Sequence, residues 1–437
     1  MNVMVVGGGG REHALLLALR KNPRVKKLYA LPGNGGIAEI ASCAPIAPTD
    51  IDGMVRFACE KQIDFAVVAP DNPLVLGAVD ALEEAGIPCF GPDKRAAIIE
   101  GSKSFAKELM KKHHIPTAQY EVFDDMDAAI AYVQSLTTFP VVVKADGLAL
   151  GKGVVIANTC AEAEAAIYMM MQARAFGESG TRVVIEEFLR GPEVSVLAFT
   201  DGHTLLPLLS SMDHKRALDG DKGENTGGMG AVAPNPYYTE EMAARCMREI
   251  FMPTIRAMEA EGRRFRGCLY FGLMLTERGP MVIEYNCRFG DPETQAVLPL
   301  MQTDLLETMQ AVRNDRLHEA SIAFLPDAAC CVVLASGGYP GKYETNKPIS
   351  IENQSQANNV FFYHAGTARR EDSVLCTSGG RVMGVTATGK TLADAVEIAY
   401  RAAKGVQFEG MHMRSDIGRR ALDETREGGQ YGLPHIR

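Results

Sequence analysis

Met281-Val282-Ile283-Glu284-Tyr285-Asn286-Cys287-Arg288, running on into Phe289-Gly290-Asp291-Pro292-Glu293-Thr294, is the stretch that decides how this chain is read. Its apolar start predicts a strand. At a period of two, Glu284, Asn286 and Arg288 share one face, while Ile283 and Tyr285 point the other way. Two oxygen donors and a cation on one strand face make a poor core and a poor edge. They suit a hard divalent cation beside a nucleotide's phosphates, with the arginine balancing charge that develops there. The preceding run, residues 269–276, reads as a second strand joined through residues 277–280. Its segment Gly272-Leu273-Met274-Leu275-Thr276 offers no further acidic ligand, so the number of metal ions stays open.

Upstream, Val141-Val142-Val143-Lys144 reads as a buried strand that ends in a lysine and enters the loop Ala145-Asp146-Gly147-Leu148-Ala149-Leu150-Gly151-Lys152-Gly153. An ammonium at a buried strand end needs a polar partner, and phosphate supplies one. The loop's glycines let it fold closely over a polyphosphate. It is not a Walker A loop, because Lys152 is followed by glycine and the required upstream glycine is Asp146. Val183-Val184-Ile185-Glu186-Glu187-Phe188-Leu189, then Gly191-Pro192-Glu193, reads in two ways. It is either a hinge offering backbone groups to an adenine and a carboxylate to a ribose, or a solvated strand end. Gly7-Gly8-Gly9-Gly10-Arg11 follows the first apolar run, and the dinucleotide pattern G-x-G-x-x-G fails there at Glu12 and His13. Backbone N–H groups at a helix start, aided by Arg11, make a phosphate cradle; a tight turn without a ligand is the alternative.

Around these motifs, the first hundred residues alternate apolar runs (3–6, 27–30, 65–69, 88–90) with helical patterns (12–19, 51–61, 74–85). That alternation predicts a parallel sheet covered by helices. From residue 102 helices (104–113, 161–171, 240–261) mix with strands (183–187, 194–200, 205–209) in an α+β manner. A third, β-rich unit begins near residue 320, with strands at 329–335 and 381–387 and a helix at 393–403. The polar residues after Leu422 read as a loose tail. A length of 437 residues predicts two to four domains. The net charge of −9, without a dense Lys/Arg block, argues against nucleic acid as a partner. Ten scattered cysteines with no CxxC pair argue against a zinc site or a disulfide framework. No apolar run has the length of a membrane span, and a cytoplasmic location is expected.

Taken in order, the lysine strand with its glycine loop, the Glu-Glu-x-Leu hinge and the Glu-x-Asn-x-Arg strand resemble the ATP-grasp superfamily. Further segments resemble its phosphoribosylamine–glycine ligase family, over nearly the whole chain to about Leu422. These are Gly9-Gly10-Arg11-Glu12-His13, Pro32-Gly33-Asn34-Gly35-Gly36, Asp213-His214-Lys215-Arg216, Asn225-Thr226-Gly227-Gly228-Met229-Gly230-Ala231, the run from Arg288 to Thr294, and Gly379-Gly380-Arg381-Val382. The resemblance implies an amino-terminal parallel α/β domain (1–102) and a central ATP-grasp fold (103–319) with a small lid subdomain at about residues 120–190. A carboxy-terminal β-rich domain (320–422) and the tail (423–437) follow. It also implies a reaction. ATP phosphorylates the glycine carboxylate, and the amine of 5-phosphoribosylamine attacks the acyl phosphate, giving glycinamide ribonucleotide, ADP and phosphate in de novo purine synthesis.

By position in that family, Lys103 and Lys144, with Gly147, Gly151 and Gly153, would hold the ATP phosphates beneath a closing loop. Glu186, Glu187, Phe188 and Leu189 would hold the adenine and Glu193 the ribose. Glu284 and Asn286 would bind Mg²⁺, or Mn²⁺ in its place. Arg288 and Lys144 would be catalytic. Gly9, Gly10, Arg11, Asn34, Gly35, Asp71, Asp213, Lys215, Arg288, Gly290 and Asp291 would take the amino sugar and the acyl phosphate. Ala69-Pro70-Asp71-Asn72-Pro73-Leu74 stands where relatives usually show Gly-Pro-Glu-x-Pro-Leu, so the carboxylate of Asp71 is one methylene short. Partners are expected to be the small molecules ATP, glycine and 5-phosphoribosylamine, acting on a monomer or homodimer. One rival reading is an ATP-grasp ligase for another acid or amine, which a panel of amines would separate. Another is a nucleotide-binding scaffold without turnover, which glycine-dependent phosphate release would exclude.

Overall fold

Residues 1–149, 153–175, 177–352 and 358–426 are described in the computed structural model. Five short strands pair in parallel in the order Ser42–Cys43, Lys27–Pro32, Asn2–Gly7, Phe65–Val68, Cys89–Phe90. The apolar residues 3–6 at the centre are buried on both faces, as a parallel sheet between helices requires. Strand order reverses at Asn2–Gly7, so the glycine turn and the helix Gly10–Leu19 leave the sheet at its switch point. The single helix expected over 74–85 is two. Asp71–Leu76 stops at Gly77, whose φ of 97° is left-handed, and Ala78–Glu84 starts afresh.

Two four-stranded antiparallel sheets follow. One is built from Leu205–Pro207, Glu193–Thr200, Gly267–Thr276 and Gly279–Asn286; the other from Tyr120–Phe123, Val183–Glu187, Val141–Ala145 and Val154–Ala157. The second closes its own small core around Val143, Ile185, Ala163, Ile167 and Val133, which makes it a subdomain. The sheets meet where Thr117 pairs with Val282 and donates its hydroxyl to the Val282 carbonyl at 2.7 Å.

The strand Gly279–Asn286 carries a bulge. Gly272 faces Glu284 and Leu273 faces Val282, which leaves Ile283 as the extra residue. Strict alternation fails there: Val282 and Tyr285 enter the core, while Ile283 lies half-buried beside Glu284 rather than opposite it.

The last sheet runs Met212–Asp213, Gly230–Ala233, Ala328–Ser336, Arg381–Gly389, Val360–His364. Its first two strands come from well before residue 320, so the chain visits this sheet once, returns to the central unit, and comes back. Leu422 lies inside the helix Arg419–Arg426 rather than at its end. Residues 427–437 of the expected tail, and Gly151 of the glycine loop, lie outside the described residues.

Phe90, Phe199 and Phe289 join the amino-terminal and central units, with ring centroids 5.8–6.0 Å apart. Phe199 has no solvent-exposed surface. Phe199→Ala should therefore cost about 3–5 kcal/mol of stability, read as a lowered urea midpoint with an unchanged slope.

Candidate active site

Lys144 lies near the end of Val141–Ala145, and its side chain crosses toward the other sheet. Its Nζ is 2.9 Å from Glu186 Oε1 and donates to the Ile283 carbonyl at 3.1 Å. That carbonyl belongs to the bulge, whose extra residue drops out of the strand ladder. Glu186 Oε2 receives Lys107 at 2.9 Å, and all three side chains are 5% exposed or less. Burial pulls the Lys107 ammonium down to about 8. Burial pushes the Glu186 carboxyl up, but Lys144 and Lys107 outweigh it and hold it below the usual range.

Lys103 opens the helix Lys103–Lys112, capped by Ser102, and its Nζ donates to the Gly147 carbonyl at 2.8 Å. Asp146 accepts from the Ser104 N–H at 2.6 Å, so the glycine loop begins pinned to the helix start. Gly147 donates its N–H to the Ser179 carbonyl, and the Gly153 carbonyl accepts from Ala145. Lys215 Nζ stands 3.1 Å from Glu193 Oε2 and 3.8 Å from Glu284 Oε1. Burial pushes Glu284 up, yet Lys215, Lys144, Lys103 and Arg288 together keep it ionised below its ordinary value. Among the described residues Lys215, at 3.8 Å, is the cation paired with that carboxylate, and the other three act on it from further away.

Asn286 Oδ1 accepts from Arg288 Nη2 at 3.0 Å. The same Nη2 is 3.2 Å from Glu100 Oε1 and 4.0 Å from Asp71 Oδ2, and Nη1 donates to the Phe289 carbonyl at 3.2 Å. Arg11 Nη1 donates to that same carbonyl at 3.1 Å, while its Nε donates to Glu12 Oε1 at 2.6 Å. Two arginines from distant parts of the sequence therefore share one carbonyl.

Asn34 is fully engaged within the protein. It donates to the Gly8 and His364 carbonyls and accepts from the N–H groups of Gly36 and Ile37. It staples the first unit to the last, as does Gly35, whose N–H donates to the Thr367 carbonyl. Glu187 is paired with Arg278 at 2.8 Å. Phe188 lies under the Arg190 guanidinium, and Leu189 packs with Ala118 and Met281. Asp291 Oδ1 accepts from Gln295 at 2.7 Å and lies 3.3 Å from Arg381. Burial pushes Asp291 up, but Arg381 and Arg11 hold it low. Asp213 goes the other way: burial, then neighbouring Glu293, raises its carboxyl well above the usual range. Its Oδ1 is buried without a hydrogen-bond partner. Gly9, Gly10 and Gly290 meet this second group: a Cβ on Gly9 would stand 3.3 Å from Asp291 Oδ2, and one on Gly290 would strike Glu293.

Lys107, Glu100, Glu12 and Glu293 contact these site residues and carried no sequence-based assignment. Lys107 had a signal, one helical turn beyond Lys103. Glu100 had none.

A lysine-lined cleft between two antiparallel sheets, with an Glu-x-Asn-x-Arg strand at its edge, defines an ATP-grasp ligase. Models of phosphoribosylglycinamide synthetase match in three pieces: its N domain over residues 1–100, its ATP-grasp (A) domain over 101–294 and its C domain over 329–420. The phosphoribosylamine–glycine ligase of Vibrio vulnificus is 48% identical over 425 residues, covering 97% of this chain and 99% of that one. The crystal structure of phosphoribosylamine–glycine ligase from Thermotoga maritima superposes with a TM-score of 0.83 at 32% identity, over 95% of this chain and all of that one. At 16% identity and a TM-score of 0.72, a biotin carboxylase domain from Hydrogenobacter thermophilus, solved with MgADP and bicarbonate, shares the fold over 99% of each chain. The chain belongs to the phosphoribosylamine–glycine ligase family, ATP-dependent ligases of purine biosynthesis.

Removing one member of the buried charge row should cost more than any exposed pair. Lys107→Met leaves Glu186 with Lys144 alone and should lower stability by about 3–5 kcal/mol, read by urea denaturation beside Lys112→Met, whose exposed ammonium pairs with Glu261.

Proposed function

We propose a division of labour among this chain's residues for the ligase reaction. ATP phosphorylates glycine to glycyl phosphate, and the amine of 5-phosphoribosylamine displaces phosphate to give glycinamide ribonucleotide. Lys103 and Lys144 neutralise the phosphates of ATP, and the observation that carries this reading is that Lys144 Nζ reaches the Ile283 carbonyl, one residue before Glu284, while Lys103 Nζ holds the Gly147 carbonyl of the glycine loop. The carboxylate of Glu186 is spent on two lysines, so the adenine is met by the backbone of residues 187–189 and the apolar side of Leu189. Glu193, 3.1 Å from Lys215, is assigned to the ribose, and Lys215 to the transferred phosphate.

Arg288, bonded to Asn286 of the same strand end, stabilises charge on the acyl phosphate, work of positioning and electrostatics rather than of a protein nucleophile. Arg11 is turned inward and the Gly9 N–H donates to Glu12 Oε2 at 2.6 Å, so the sugar phosphate is assigned to the helix start from Gly10 onward, with Arg11, Glu12 and Asn34 keeping that turn in shape. Asp213 and Asp291, being carboxylates, suit amino or hydroxyl groups better than phosphate. Asp71 reaches toward Arg288 instead of into open cleft.

Glu284 and Asn286 put one ionised carboxylate and one amide oxygen at the same strand end, and Gly272 opposite adds nothing. Among the described residues no group of three or more His, Cys, Asp or Glu could hold a metal alone. That donor set suits Mg²⁺ taking its other ligands from phosphates and water, and Mn²⁺ accepts the same oxygens. When bound, the ion supplies charge neutralisation at the phosphates. Among the described residues no helix is long and apolar enough to cross a membrane. The reading is of a cytoplasmic enzyme acting as a monomer or homodimer.

ADP release should require both glycine and freshly made 5-phosphoribosylamine. Glu284→Gln should keep stability within about 1 kcal/mol while turnover falls by about a hundredfold, with partial recovery as Mg²⁺ is raised. Wild-type turnover at low Mg²⁺ would remove Glu284 from the metal site.

A further inference from the structure

Glu100 sits in the last turn of the helix Lys94–Gly101, which closes the amino-terminal unit and packs on the strand carrying Glu284 and Asn286. It is 8% exposed, and both its oxygens are used. Oε2 accepts from the Cys287 N–H at 2.7 Å, and Oε1 lies 3.2 Å from Arg288 Nη2. One carboxylate thereby grips the backbone just beyond Asn286 and the guanidinium one residue later. Asp71, on the neighbouring helix Asp71–Leu76, approaches the same Nη2 and stops at 4.0 Å.

The inventory of Arg288 explains why this matters. Its Nη2 hydrogens are directed to Asn286 and Glu100, and Nη1 donates to Phe289. Nε is buried and makes no hydrogen bond. A long side chain has rotamer freedom to lose, and Asn286 and Phe289, both within two residues of Arg288, cannot fix it relative to the amino-terminal unit. Of its partners among the described residues, only Glu100 and Asp71 come from that unit.

We infer that Glu100 is a positioning residue for Arg288: through one carboxylate it sets the guanidinium, and the strand end beneath it, in register with the amino-terminal domain, and Asp71 is a second, underused clamp. This rests on the proposed role of Arg288 at the acyl phosphate. Glu100 touches no reacting atom. Its effect is to hold Arg288 where charge develops, so its loss acts on turnover rather than on nucleotide affinity.

Asp71 supplies the control. Lengthening it by one methylene, Asp71→Glu, would bring a carboxylate within contact of Arg288 Nη2, which Glu100→Gln leaves with only the more distant Asp71 as a charged partner. Four proteins would be compared: wild type, Glu100→Gln, the double variant Glu100→Gln/Asp71→Glu, and Arg288→Ala. Steady-state ADP release with glycine and 5-phosphoribosylamine would be measured together with nucleotide affinity and melting temperature.

Glu100→Gln should lower kcat by about tenfold or more, with KM for ATP and nucleotide affinity within about twofold of wild type. The double variant should recover much of that loss. If Glu100→Gln does not fold, the double variant carries the test, since it moves the carboxylate at position 71 into contact with the arginine; folded and active, it supports the clamp. Wild-type kcat in Glu100→Gln overturns the inference, as does a loss confined to melting temperature or KM for ATP, or a folded double variant no better than the single. Arg288→Ala separates the two levels. If it turns over normally, the role given to Arg288 is wrong; if it is dead while Glu100→Gln is normal, only the positioning inference falls.

Discussion

Lys144 spans the gap between two sheets, and the cleft depends on that span. Its ammonium is satisfied on one side by Glu186 of its own sheet and on the other by the Ile283 carbonyl. An isolated ammonium could not be buried there, because the cost of removing it from water is far beyond what packing returns. Glu186 provides the countercharge, Lys107 shares it, and the bulge in Gly279–Asn286 provides the carbonyl. A regular strand would keep that carbonyl in its ladder. One irregular residue thus lets a small, separately cored subdomain be tied electrostatically to the rest of the molecule.

The row of lysines also explains the electrostatic character of the site. Lys215, Lys144, Lys103 and Arg288 outweigh desolvation at Glu284 and hold its carboxyl below the ordinary range, so these cations stand preorganised around the strand end. A net charge of −9 says nothing of this, since the field in a cleft is set by the few charges lining it. Phosphoryl chemistry asks for such preorganised cations and for fixed geometry, and little else of the protein.

Fixed geometry comes from the junctions between units. The Phe289 carbonyl receives both Arg11 and Arg288, and the Phe289 ring packs against Phe90 and Phe199. Asn34 and His13 bind the backbone at His364, so the amino- and carboxy-terminal units close on one another beside the same segment. These contacts join parts of the chain roughly three hundred residues apart, which is why mutations far from the nucleotide can still be expected to move Arg288.

By itself the sequence determined the parallel amino-terminal sheet, because runs buried on both faces and glycine turns at their ends are local patterns. It also placed Lys144 on a strand and Glu284, Asn286 and Arg288 close together at the end of another, since both runs are local patterns. It could not determine the bulge at Ile283, which depends on the partner strand, nor the strands Met212–Asp213 and Gly230–Ala233 leaving the central unit for the last sheet, whose pairing partner lies a hundred residues on. Nor could it see that Asn34 and Arg11 would be consumed by internal hydrogen bonds, that Glu186 would be locked between two lysines, or that Glu100 would reach Arg288. Local patterns report which residues carry charge and which face they occupy. Which charges meet is settled only when the units pack and buried groups must find partners.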